Sequence, residues 1–154
     1  MLIQGVGFNN EGNMNQDSTF SNTHMDNQKI FINTFENPTL LMQAEPRQVV
    51  AANKKACELF GKELVQIEGF RGGQVFDCVH AFTEAGCGLD VNCEDCKIKN
   101  AVVDTFLTGN SHNGIDTILN IKKYNEIIPH AMQVTTEKIG DFILITINKY
   151  LRIA

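Results

Sequence analysis

Along the last third of the chain, apolar and polar positions alternate with a period of two. Ile115, Thr117, Leu119 and Ile121 fall on one side of "GIDTILNIKK", and Ile128, His130, Met132 and Val134 on one side of "NEIIPHAMQVTT". After an Ile-Gly-Asp turn comes "DFILITINKY", which is almost continuously apolar. Alternation of this kind puts every second side chain on one face of a strand, so these segments predict three consecutive antiparallel strands. Two shorter apolar runs lie upstream, "TLLMQA" (Thr39 to Ala44) and "QVVAAN" (Gln48 to Asn53), joined by a Glu-Pro-Arg turn that holds Pro46. They predict a hairpin.

Between hairpin and strands the period changes. In "CEDCKIKNAVVDTFLTG", Ile98, Val102, Thr105 and Phe106 recur at helical spacing, and Gly109 supplies the stop. Asn53 is placed to cap "KKACELFG", where Ala56, Leu59 and Phe60 share a face before Gly61. "KELVQIEGF" reads as a short helical turn, and from Arg71 to Asn92 no sustained period of either kind exists. Upstream, Asp26 is placed to cap a helix bearing Ile30, Phe31 and Phe35, which Asn37-Pro38 ends. The pattern therefore predicts an α+β chain with five strands and its helices inserted between the second and third.

Residues 1–25 are rich in Asn, Gly, Ser and Gln, and are expected to form a flexible polar arm, because they bury too little apolar surface to offset chain entropy. Residues 26–154 are expected to form one domain. The 43% hydrophobic content of 154 residues suits a single core. A net charge of -5 without any cluster of Lys or Arg argues against nucleic acid as a partner. No run reaches the roughly 18 apolar residues of a bilayer span, and no export signal opens the chain, so a cytoplasmic protein is expected, with no membrane partner.

Four of the five cysteines, Cys78, Cys87, Cys93 and Cys96, crowd into "CVHAFTEAGCGLDVNCEDC". A C-x2-C step lets two thiolates converge on one soft ion, and Gly86 and Gly88 beside Cys87 allow the tight path that a third ligand needs. Such a segment predicts a sulfur-lined metal or redox site. Soft sulfur ligands suit zinc or an iron-sulfur cluster equally. Thiols that are merely buried, or reversibly oxidised without metal, are the plainer alternative. Cys57, on the apolar side of its helix, reads as a core residue. Cys96 opens a helix, whose dipole favours thiolate, and has Lys97 beside it, but Glu94 and Asp95 act against this. His130 projects with the inward set of its strand and reads as a satisfied histidine rather than a heme contact. His80 stands two residues from Cys78, close enough to replace or support a sulfur ligand. His24 and His112 are expected to be solvated.

The order of elements resembles that of a PAS domain: a helix, two strands, several short helices, one longer helix and three long strands. "VVAANKKACELFGKE" is similar to the family's second strand and first inserted helix, and "GDFILITINKY" to its last strand, so that the resemblance covers residues 26 to 150. It implies a PAS-like five-stranded antiparallel sheet with helices on one face and an N-terminal helix. The stretch "GGQVFDCVHAFTEAGCGLDVNCEDCKIKNAVVDTFLTG" further resembles a subgroup of bacterial sensory PAS domains with a Cys, then Gly-Cys-Gly, then C-x2-C. That match puts the subgroup's cysteines on Cys78, Cys87, Cys93 and Cys96, and its following basic residue on Lys97 or Lys99.

The resemblance implies a sensory or regulatory module in signal transduction. Zinc or an iron-sulfur centre, or a redox-active set of thiols, would sit at the four cysteines. A homodimer through the N-terminal helix, and a signalling kinase or other output protein, are the partners it implies. Two other readings stay open: a zinc-stapled structural interaction module, and a thiol oxidoreductase using Cys93 and Cys96. No flavin-photoreceptor signature of the Asn-Cys-Arg-Phe kind is present, and Lys97 rather than His follows the C-x2-C pair, which disfavours covalent heme. No nucleophile elbow, phosphate loop or HExxH motif points to an enzyme, and "GVGFNNEG" lacks the preceding strand of a dinucleotide fingerprint.

Overall fold

The period-two segments form the long strands of one antiparallel sheet. The computed structural model describes residues 26–44 and 47–153. Strand β1 (Thr39–Gln43) pairs with β2 (Val49–Ala52), and β3 (His112–Lys123), β4 (Glu126–Ile139) and β5 (Phe142–Arg152) follow as a meander. The order across the sheet is β2-β1-β5-β4-β3, with Leu41 opposite Leu144 and Leu119 opposite His130. Tyr124 and Asn125 both take positive φ at the β3–β4 turn, the geometry that matches the natural twist of two paired strands.

Every helix from the middle of the chain packs on one face. Met42, Leu119, Ile121, Met132, Val134, Ile143, Ile145 and Ile147 point from the sheet into the main core. They meet Ala56 and Phe60 of α2 (Lys54–Phe60), Val75 and Phe76 of α3 (Gly72–Phe76), and Ile98 and Val102 of α4 (Lys97–Thr108). Burying each large aliphatic chain stabilises the fold by about 1.5–3 kcal/mol, so this face dominates stability. The opposite face is covered locally by α1 (residues 26–32), whose Ile32 packs with Leu41, Ala51 and Leu144 in a second, smaller core.

Asn53 ties these parts together. Its side-chain oxygen accepts from the Ala56 N–H, as the predicted cap, and also from the Thr39 N–H, each at 2.9 Å. Its amide donates to Ile32 O at 3.0 Å and Asn37 O at 2.9 Å, so one buried residue joins α1, β1 and α2.

Local differences from the sequence reading have local causes. Helix α1 stops at residue 32, short of Phe35, because the Asn33 and Thr34 side chains turn back onto Lys29 O and Phe31 O. Asp26 lies inside that helix rather than ahead of it. His112 opens β3 instead of lying in a solvated turn, with Nε2 2.6 Å from Asp104 Oδ2 on α4. The aperiodic middle contains α3 and two 3-10 turns, Val79–Phe82 and Val91–Cys93, all too short to print a period. The expected arm at 1–25, with His24, lies outside the described residues, as does Pro46. Among the described residues no helix is long and apolar enough to cross a membrane.

Candidate metal or cluster site: a cavity lined by four cysteines

The backbone delivers the first cysteine directly to the sheet. Asp77 ends α3 in the left-handed region, and its carbonyl accepts the Lys122 N–H of β3 at 2.8 Å. Cys78 then forms a single antiparallel bridge with Ile121. The Lys62 ammonium holds this corner, donating to Gln74 O, Val75 O and Asp77 Oδ1 at 2.8, 3.0 and 3.0 Å. A cation at a helix C-terminus satisfies carbonyls that the helix itself leaves open.

Cys87 sits between Gly86 and Gly88, both at positive φ. Its sulfur accepts the Gly73 N–H at 3.1 Å, and its carbonyl accepts Arg71 Nη1 at 3.3 Å. This contact demands glycine at 73, since a Cβ there would stand 2.5 Å from the Cys87 sulfur. Asp90 next caps the turn Val91–Cys93 by accepting the Asn92 N–H at 2.8 Å, a bond that also lowers the Asp90 pKa. Cys93 is buried, and its sulfur accepts the Gly88 N–H at 3.3 Å. Cys96 stands at the N-cap position of α4, completing the set at that helix's first turn.

All four cysteines border one cavity of about 210 Å³. Met42, Phe76, Ile98, Val102 and Leu119 are among its apolar lining residues, while Arg47, Arg71, Lys99 and Asp95 add charged groups and His80 an imidazole. All five cysteines are free thiols. Burial is the main influence on Cys78 and Cys87 and pushes both thiols up. Cys96, Cys87 and Cys93 raise Cys78 further, and Cys93 and Cys96 raise Cys87, while the His80 N–H pulls Cys78, and the Gly73 N–H and the Arg71 charge pull Cys87, the other way. These two groups are therefore neutral thiols near pH 7, and a soft metal must displace their protons to bind.

Among the described residues, no group of three or more His, Cys, Asp and Glu is arranged to hold a single metal ion. The four cysteine residues border a shared cavity without forming such a group. Cys57 lies apart, half-buried on α2 against the main core, with its thiol raised by burial. His130 stacks on Tyr150, with centroids 4.8 Å apart, and its Nδ1 is 3.1 Å from Ile128 O. His80 borders the cavity, its Nδ1 3.9 Å from Asp90 Oδ1. Of the two lysines named as basic followers, Lys99 reaches the cavity and Lys97 is exposed. Sequence reasoning missed Arg47 and Arg71. Arg71 stands immediately before the Gly-Gly that starts α3, the only local mark of its position.

The chain aligns with the Rhodobacter sphaeroides LOV protein over 82% of its own length, with a TM-score of 0.52 and 14% identity. The fold is that of PAS and LOV domains. A variant of RsLOV aligns over the same share with a TM-score of 0.50 and 16% identity, covering 65% of that chain. The PAS domain of Bordetella pertussis BvgS aligns over 86% of this chain and 88% of its own, at a TM-score of 0.43 and 10% identity. This chain spans 64% of the length of the LOV protein, and at such identities the likeness concerns fold alone. No protein-family model matches the chain, and no curated protein does. The PAS fold accounts for the sheet order and for helices on one face, whereas the cysteine-lined cavity is read from this chain's own residues.

Proposed function

We propose that this PAS-fold chain is a sensory module in signal transduction whose four cysteines hold an iron–sulfur cluster. One observation carries the choice of centre: Cys78, Cys87, Cys93 and Cys96 share a cavity, yet no three of them form a ready single-ion site. A zinc ion needs four ligands within bonding distance of one point, whereas thiolates on a cluster stand apart across its inorganic core. N–H groups from Gly73 and Gly88 aimed at two of the sulfurs support the same reading, because such bonds stabilise ligated thiolates. The burial of Cys93 counts against a thiol oxidoreductase, which needs an accessible attacking sulfur.

The cluster supplies a one-electron, oxidant-sensitive centre when bound. The protein's part is to link its presence to the fold. Cys78 is joined to β3 and Cys96 stands at the N-cap position of α4, so the segment from 78 to 96 bridges sheet and helix. Release of the sulfurs frees that segment, loosens the first turn of α4 and alters its packing on β3 and β4. The change reaches α1 through the sheet, and α1 is the contact for a second copy or an output kinase. A switch of this kind requires the two states to differ in packing free energy.

Anaerobic purification with assay of iron, acid-labile sulfide and zinc tests the proposal. Iron and sulfide in equal amounts, with broad visible absorption that air bleaches, is the expected result. One zinc per chain without sulfide points to the structural staple, and neither metal overturns both.

A further inference from the structure

Two arginines from separate elements converge on the Gly-Cys-Gly turn. A Cβ at Gly88 would stand 2.6 Å from Arg47 Nη2 and 2.9 Å from Arg71 Nη1. Both cationic nitrogens thus lie within 3 Å of one point beside Cys87. Arg47 arrives from the connection between β1 and β2, and Arg71 from the residue that caps α3. Lys99 joins them on the cavity wall, where Asp95 is the one carboxylate among the described residues. Arg71 Nη1 also donates to the Cys87 carbonyl at 3.3 Å, which fixes its head group at the turn.

We infer that Arg47 and Arg71, assisted by Lys99, form a cationic wall that raises the reduction potential of the centre in this cavity. The inference rests on the cluster reading above. A cluster with four thiolates carries net negative charge, and charge and hydrogen bonding around the sulfurs set its potential. Reduction adds one electron from an external low-potential donor, dithionite in the assay, with no bond broken and no proton taken up. The reduced form is the more negative, so nearby guanidinium groups stabilise it more than the oxidised form. Gly88 keeps this wall in place, because any side chain there would push both arginines from the turn.

The test is an anaerobic potentiometric titration of the full chain, followed by electron paramagnetic resonance, with iron and sulfide measured in each sample. Arg71→Gln and Arg47→Gln are each expected to make reduction about tenfold less favourable, a midpoint lowered by about 59 mV for a one-electron couple. Arg71→Lys is expected to stay near the wild-type midpoint, because it keeps the charge. Lys55→Gln, exposed on α2, is expected to leave the midpoint unmoved. Fully loaded Gln variants that titrate as the wild type does overturn the inference, and so does Arg71→Lys falling as far as Arg71→Gln. If Arg71→Gln does not fold, Arg47→Gln carries the same expectation. A wild-type chain without iron and sulfide overturns the cluster reading and this inference together, whereas a loaded chain with unmoved midpoints overturns this inference alone.

Discussion

Replacing Gly73 by Ala tests the closest approach in the cavity. The added methyl carbon would fall 2.5 Å from Cys87 Sγ, 3.0 Å from Cys87 Cβ and 3.5 Å from Cys78 Cβ. A carbon and a sulfur ordinarily keep about 3.5–4 Å apart, so the overlap with Cys87 is near 1 Å. Forcing a side chain aside in a packed region costs about 1–3 kcal/mol. Displacing the sulfur also removes its bond from the Gly73 N–H, worth about 1 kcal/mol. Against this, Ala in a helix gains up to about 1 kcal/mol over Gly. The net expectation is destabilisation by about 1–3 kcal/mol, a fall in Tm of several degrees for a domain of this size.

The adjacent glycine supplies the control. A Cβ at Gly72 would meet Met42 Cε at 3.5 Å and Phe76 Cε2 at 3.7 Å, which is ordinary contact, so Gly72→Ala is expected to be neutral or mildly stabilising. Urea denaturation of both variants without metal, alongside iron and sulfide content after anaerobic purification, gives the comparison. Adding Cys87→Ala to Gly73→Ala removes the clashing sulfur, and the double variant is expected to recover part of the loss, as coupling between touching residues requires. If Gly73→Ala matched Gly72→Ala in both stability and iron content, the contact between α3 and the Cys87 turn would be refuted, and with it the account of how Cys87 is held at the cavity.

Asn53→Ala removes four hydrogen bonds made by a buried side chain, among them the one it accepts from the Thr39 N–H; a loss of about 3 kcal/mol is expected in urea denaturation, with α1 affected first. The Thr105 and Thr136 hydroxyls meet at 2.7 Å in the core between α4 and β4, so Thr105→Val alone is expected to cost about 1–2 kcal/mol, while Val at both positions restores most of it. Burial pushes the Tyr150 phenol up to about 12, above its unfolded value near 10. The folded form therefore holds the proton more tightly, and the resulting stability is complete below pH 10 and lost as pH rises towards 12. Tyr150→Phe, which keeps the ring against Phe60 and His130, is expected to leave stability at pH 7 nearly unchanged and to flatten its fall between pH 10 and 12.

The long strands were legible because a period of two repeats several times in each: Leu119 and Ile121, then Met132 and Val134, are the buried members of the sets the alternation defines. Helix α4 was legible for the same reason, with Ile98, Val102 and Thr105 buried and Gly109 at its end. Helix α3 was not, because five residues span less than two turns and a Gly-Gly start argues against any helix. At the site, cysteine announces itself by residue type and spacing. The arginines do not, since a side chain of that length reaches the cavity from a position set by the sheet order and the hairpin rather than by any local pattern.

That difference bears on how the cavity communicates with the rest of the fold. Its cysteines come from a continuous stretch, so a cavity built from them alone would be a self-contained loop, indifferent to the sheet. Three attachments make it otherwise. Cys78 is bridged to Ile121, Cys96 begins the helix whose Thr105 bonds Thr136 in the core, and Arg47 reaches the Gly-Cys-Gly turn from beside β2. A change in the charge or spacing of the sulfurs therefore acts at once on β3, on α4 and on the hairpin. The hairpin lies under α1, whose Ile32 rests on Leu41 and Ala51. Through Arg47, the route from the cavity to α1 crosses only the hairpin, whereas through Cys78 it must cross β3, β4 and β5 before reaching β1. The arginine route is the shorter one, so the charge that tunes the site is also the element best placed to carry its state across the sheet.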